Sequence, residues 1–139
     1  MKSLELWFSE YQTKNVKLSF RVKDILYTKQ TEFQNISVIE TQGFGRILTL
    51  DDIVMLTTKD EFVYHEMISH VPLLTHGNAS KVLVIGGGDG GTIREILKHP
   101  VKEVHLVEID REVIETSKEY FPSVSCGFSD SRVKIFCED

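Results

Sequence analysis

Val82-Leu83-Val84-Ile85-Gly86-Gly87-Gly88-Asp89-Gly90-Gly91 is the stretch that decides the fold. Val82–Ile85 is apolar without alternation, the pattern of a strand buried on both faces of a parallel sheet. Glycines follow at once. Gly86, Gly88 and Gly91 satisfy the spacing G-x-G-x-x-G, which in this setting opens a helix at a nucleoside or phosphate site. A backbone without Cβ atoms turns tightly and lets a ligand approach closely. A helix is expected from about Gly91 to Lys98.

Downstream the pattern repeats. Val104–Ile109 reads as a second strand, and Asp110 caps a helix through Tyr120, with Pro122 beyond its end. Val133–Cys137 reads as a third strand. The order βαβαβ is half of a doubly wound parallel sheet. Upstream, Phe62, Val63, Met67, Ile68 and Val71 recur at helical spacing, so an amphipathic helix is expected over Glu61–Val71. Asp60 is its N-cap candidate, Pro72 marks its end, and Thr75–Ser80 reads as a loop. Before it lie short β-segments. Val16, Leu18, Phe20 and Val22 alternate onto one face, Ile36–Thr41 is β-branched, and Gly43-Phe44-Gly45 interrupts before Ile47–Leu50. Asp51-Asp52 turns the chain into Ile53–Thr57. Such spacing indicates antiparallel hairpins.

The expected class is therefore α/β. An antiparallel β-domain occupies residues 1–57, a connecting helix and loop 58–77, and the first βαβαβ half of a Rossmann-like domain 78–139. Half a doubly wound sheet is rarely a complete protein, so the chain reads as a fragment of a longer one.

Composition narrows the function. Of 139 residues, 41% are hydrophobic and 27% charged, the balance of a soluble globular protein. The net charge of −5 argues against nucleic acid or an anionic membrane as a partner, and fits a cationic ligand. Cys126 and Cys137 form no C-x-x-C pair and have no histidine at metal-ligand spacing, so they read as reduced thiols. No apolar run approaches the roughly 20 residues of a membrane-spanning helix. The opening Met1-Lys2-Ser3-Leu4-Glu5 lacks the apolar core of a secretory leader. The expected location is the cytoplasm.

Three acidic residues fall where such a sheet binds ligands. Glu108 ends the second strand, 22 positions after Gly86, where a carboxylate can accept from both hydroxyls of a ribose. An ordinary solvated glutamate is the alternative. Asp89 lies inside the glycine loop. Phosphates there would be repelled by it, whereas a cationic ligand end would be attracted. Dinucleotide binding is thus disfavoured, although Asp89 can also serve only as a helix cap. Asp139 ends the third strand, where it reads equally as an adenine-edge acceptor or as a loop residue.

Beyond this point the residues resemble a family. Thr58-Lys59-Asp60-Glu61-Phe62-Val63-Tyr64-His65-Glu66-Met67, the run Val84–Glu95 around the glycines, and Val107-Glu108-Ile109-Asp110 closely resemble the spermidine synthases. Leu6-Trp7-Phe8, Gln12-Thr13-Lys14 and Thr31-Glu32-Phe33-Gln34 look like the bacterial members. The resemblance spans essentially the whole chain in order, and would make this its N-terminal half.

What the resemblance implies is specific. The fold would be like that of S-adenosylmethionine methyltransferases. The reaction would move an aminopropyl group from decarboxylated S-adenosylmethionine, the co-substrate, to putrescine. No metal and no prosthetic group is implied. Gln34 and Glu108 would bind the nucleoside, with Gly86 and Gly88 lining it, and Asp139 would bind adenine. Asp89 would face the aminopropyl amine, and Tyr64 and His65 would line the polyamine channel. From the residues alone, Tyr64 would pack and His65 would lie on the surface, since neighbours on a helix point in different directions. The catalytic base in the family is an Asp in a motif like Asp-Ser-x-Asp-Pro, which no residue of this chain matches. No catalytic residue is therefore expected in this chain, and alone it should be inactive. Homodimers or homotetramers are implied. Some members carry Gln where Met55 stands, which leaves the acceptor end open. A methyltransferase using intact S-adenosylmethionine, or a non-catalytic nucleoside- or polyamine-binding module, is the alternative.

Overall fold

The computed structural model describes residues 4–139, so Met1–Ser3 of the opening segment lie outside it. The chain forms two compact units, one ending at Glu61 and one running Phe62–Asp139.

The first unit is an antiparallel sheet of five strands in sequential order: β1 (Trp7–Thr13), β2 (Val16–Gln30), β3 (Asn35–Thr41), β4 (Gly45–Leu50) and β5 (Ile53–Thr57). β2 is far longer than the seven residues its alternation suggested. Its first part pairs with β1 (Phe20 opposite Phe8) and its second with β3 (Gln30 opposite Asn35). Register shifts at Val22/Asp24 and Ile25/Tyr27 mark irregularities near the start of the second part. Bulges of this kind bend a strand and raise its twist, and β1 comes round to touch β5. The stripe Val16, Leu18, Phe20, Val22 is not one buried face. Val16 and Leu18 are exposed, while Phe20 packs with Ile39 and Ile47 against Phe8, Val22, Phe44 and Val54. The expected turn at Asp51-Asp52 is present. Both residues have left-handed φ (49° and 63°), as a two-residue hairpin turn with the right twist requires.

The second unit begins with α1 (Glu61–His76). Two expectations fail here. Pro72 lies inside the helix and does not end it. Proline removes a single N–H, and the helix closes five residues later at Gly77, whose left-handed φ of 76° lets its N–H reach Leu73 O at 3.0 Å. The apolar stripe is also not the buried face: Phe62, Val63, Met67, Ile68 and Val71 are all about half exposed, and the buried residues of α1 are His65 and Ser69.

Then follow β6 (Lys81–Ile85), α2 (Gly91–Ile96), β7 (Glu103–Val107), α3 (Arg111–Tyr120), a 3-10 turn at Ser125–Ser129 and β8 (Val133–Phe136). The three strands are parallel in the order β6-β7-β8. α2 is shorter than expected, and Val104–Ile109 and Val133–Cys137 are each trimmed at the carboxyl end. One face of the sheet packs Val82, Val84, Val104, Leu106, Val133 and Ile135 with Ile93, Ile96 and Ile114 of the helices. Leu83 and Ile85, which alternate to the other face, are exposed. Among the described residues no helix is long and apolar enough to cross a membrane.

Candidate functional site

Register brings the carboxyl ends of the parallel strands together: Ile85 lies beside Val107, and Val107 beside Phe136. Two further hydrogen bonds continue the ladder, from Gly86 N to Val107 O and from Glu108 N to Phe136 O. The loops after these strands form the rim where doubly wound sheets hold ligands.

The three motif glycines are needed for three different reasons. Gly86 has a φ of 74° and open space around it, so it serves the backbone turn. Gly88 makes room for Glu108: a Cβ there would lie 2.9 Å from Oε2 and 3.0 Å from Val113 Cγ1. Gly91 makes room for His65, because a Cβ there would clash with the imidazole ring at Cε1, Nδ1 and Cγ.

Glu108 is buried, with 7% of its surface exposed. Its Oε2 accepts from Gly88 N at 2.9 Å and its Oε1 from Asp110 N at 3.1 Å. It is not a solvated strand-end glutamate. It ties the glycine loop to the second strand, and each oxygen keeps a lone pair for a further donor. Asp110 caps α3 as expected, its Oδ1 accepting from Glu112 N at 3.0 Å.

Asp89 is a cap and something more. Its Oδ1 accepts from Gly91 N at 2.7 Å and lies 3.2 Å from His65 Nε2. Oδ2 takes no hydrogen bond among the described residues. The orientation of the α1 pair is the reverse of the residue-level expectation: His65 is buried at 2% exposure and Tyr64 is exposed. The two rings meet edge to face at 5.4 Å.

The site thus joins Gly86, Gly88, Asp89 and Glu108 with His65 in the second unit. Gln34 belongs to the first unit, in the turn between β2 and β3, where its backbone N–H donates to Thr31 Oγ1 at 3.1 Å. Asp139 does not end a strand: β8 stops at Phe136, and Asp139 is exposed beyond it. Sequence reasoning missed Ser69, His70, Glu95 and His99, which line up behind His65. Their signal was polar spacing on α1 at positions 65, 69 and 70, hidden by a stronger apolar stripe.

A parallel sheet with a glycine loop after its first strand and a hydrogen-bonded carboxylate after its second is the arrangement of a Rossmann-like α/β fold. Comparison with known proteins places it more closely. The spermine/spermidine synthase domain model matches residues 61–139, and the spermidine synthase tetramerisation domain model matches residues 6–58. The chain belongs to the spermine/spermidine synthase family. It is 57% identical over 133 residues to the polyamine aminopropyltransferase of Bacillus mycoides, covering 95% of this chain and 48% of that protein. To that of Bacillus subtilis it is 55% identical over 136 residues, covering 97% and 49%. The crystal structure of spermidine synthase from Thermotoga maritima is similar, with TM-score 0.94 and 46% identity over 96% of this chain and 48% of that one. A spermidine synthase solved with the transition-state analogue AdoDATO matches to the same degree. The chain spans about half the length of the relatives it matches.

Proposed function

We propose that the complete protein is a spermidine synthase, transferring the aminopropyl group of decarboxylated S-adenosylmethionine to putrescine and releasing spermidine and methylthioadenosine. The observation that carries this reading is Asp89, a carboxylate inside the glycine loop with Oδ1 held by Gly91 N–H and His65. Its Oδ2 points the loop's chemistry toward a cation and away from a phosphate. Glu108 then takes the ribose hydroxyls on its remaining lone pairs. Following the family, Gln34 serves the nucleoside, Asp139 the adenine, and Tyr64 and His65 the polyamine.

In the transfer, the acceptor amine attacks the methylene next to the sulfonium. A C–N bond forms, the C–S bond breaks, and its electron pair neutralises the sulfur. The amine must shed a proton, because free alkylamines are mostly protonated near neutrality, like Lys at about 10.4. We assign that base to the remainder of the complete protein, since no stretch of this chain matches the family's Asp-Ser-x-Asp-Pro motif. The residues of this chain bind and orient, which for an in-line displacement supplies much of the acceleration. We further infer a cytoplasmic homo-oligomer, consistent with the tetramerisation model matched by the first unit.

The test is methylthioadenosine release from decarboxylated S-adenosylmethionine and putrescine. The complete protein should release it, and the 139-residue chain alone should not. Methyl transfer from intact S-adenosylmethionine with no methylthioadenosine release would refute the assignment.

A further inference from the structure

α1 meets the α2 segment along a polar seam. His65 Nε2 lies 3.2 Å from Asp89 Oδ1, Ser69 Oγ donates to Thr92 O at 3.4 Å, and His70 Nε2 lies 3.1 Å from Glu95 Oε2. Behind His70 stands His99, with Nε2 2.8 Å from His70 Nδ1 and ring centroids 5.0 Å apart. The Glu95 side chain is only 1% exposed and is ringed by Arg94 Nε at 2.7 Å and Lys98 Nζ at 2.5 Å. Burial raises the Glu95 carboxyl, but Lys98 and Arg94 outweigh it and hold the group below its ordinary value.

Ionised Glu95 only accepts, so the hydrogen on the shared axis belongs to His70 Nε2. In a neutral His70 ring Nδ1 then accepts, and His99 Nε2 must donate. The hydrogen bonds run one way, His99 to His70 to Glu95. Apolar side chains slide past one another at small cost, whereas a directed polar chain in a partly buried seam has one register.

We propose that His70 is a positioning residue: through His99 and Glu95 it fixes the register of α1 on α2, and so holds His65 against Asp89. The proposal rests on reading Asp89 as the site for the donor's amine.

The experiment uses the complete protein and its His99→Gln and His70→Leu variants. Glutamine at 99 keeps a donor for His70. The dissociation constants of decarboxylated S-adenosylmethionine and of methylthioadenosine, which lacks the amine, are measured by calorimetry, with the melting temperature of the ligand-free protein alongside. His70→Leu should weaken donor binding roughly tenfold, the scale of one hydrogen bond to a charged group, and leave methylthioadenosine binding nearly unchanged. His99→Gln should match the wild type for both ligands. Unchanged donor binding in His70→Leu, or an equal loss for both ligands, would overturn the proposal, whatever the melting temperatures. No donor binding by the wild type would instead refute the reading of Asp89, and the positioning role with it.

Discussion

Replacing Gly91 with alanine is the most direct test of how the site is built. In most glycine loops the third glycine is explained by helix–strand packing or ligand approach. In this protein the added Cβ would clash with the His65 ring at Cγ, Nδ1 and Cε1. That ring is 2% exposed and held by Asp89 on one side, so it has no free volume to enter. Inserting one methyl into a packed site costs about 1–3 kcal/mol. In a chain of a few hundred residues that lowers the melting temperature by roughly 2–4 °C per kcal/mol. Gly91 is the first residue of α2, where alanine is otherwise the better helix former by up to about 1 kcal/mol. The sign of the effect should therefore depend on His65. In the wild-type background Gly91→Ala should destabilise. In a His65→Ala background, with the ring gone, it should be neutral or mildly stabilising. The assay is a double-mutant cycle by denaturant unfolding of the complete protein. An equal cost of Gly91→Ala in both backgrounds would refute the reasoning, because it would place the strain somewhere other than the histidine ring.

Three further outcomes are expected. Glu108→Gln should destabilise by about 1–3 kcal/mol, because its amide N–H₂ must face either Gly88 N–H or Asp110 N–H and leave it unpaired; denaturant midpoints and methylthioadenosine binding should fall together. Asp89→Asn keeps an oxygen for Gly91 N–H but loses the charge, so donor affinity should drop roughly 10- to 100-fold with little change in stability; unchanged affinity by calorimetry would contradict the cation-site reading. Stability should also fall in strong acid through two surface carboxylates. Hydrogen bonds from Lys134, His105 and Lys81 hold Glu103 down at about 2, and those from Arg132 do the same for Asp130. Both folded values lie below the unfolded ones, near 4. Their contribution is present above about pH 4 and is lost as pH falls through about 2. Melting curves from pH 5 to 2 should show this, and Glu103→Gln should flatten it.

Much of the second unit was legible because its signals are local. An apolar run, a glycine cluster and a capping Asp110 each act on near neighbours, and all three fall where expected. β2 was read too short because its irregular register breaks the alternation on which strand reading relies. Pro72 misled for a related reason: the missing hydrogen bond is one among many in a helix of 16 residues. The apolar face of α1 misled more deeply, since the stripe is real in sequence yet lies exposed, while His65 and Ser69 turn inward.

Neighbouring residues were enough to establish the βαβαβ order, the glycine loop and the two carboxylates at the rim, while the family showed through the resemblance of whole motifs. The order, the loop and the rim positions follow from turn chemistry and hydrophobic period, which a short run of chain encodes. Packing in three dimensions settled that His65, not Tyr64, is buried, that Gly91 exists to receive its ring, and that His70 meets His99. Those partners stand 24, 26 and 29 positions apart. Only the packing of α1 on α2 sets which of many distant side chains come within hydrogen-bond reach, and no local pattern in the chain records that choice.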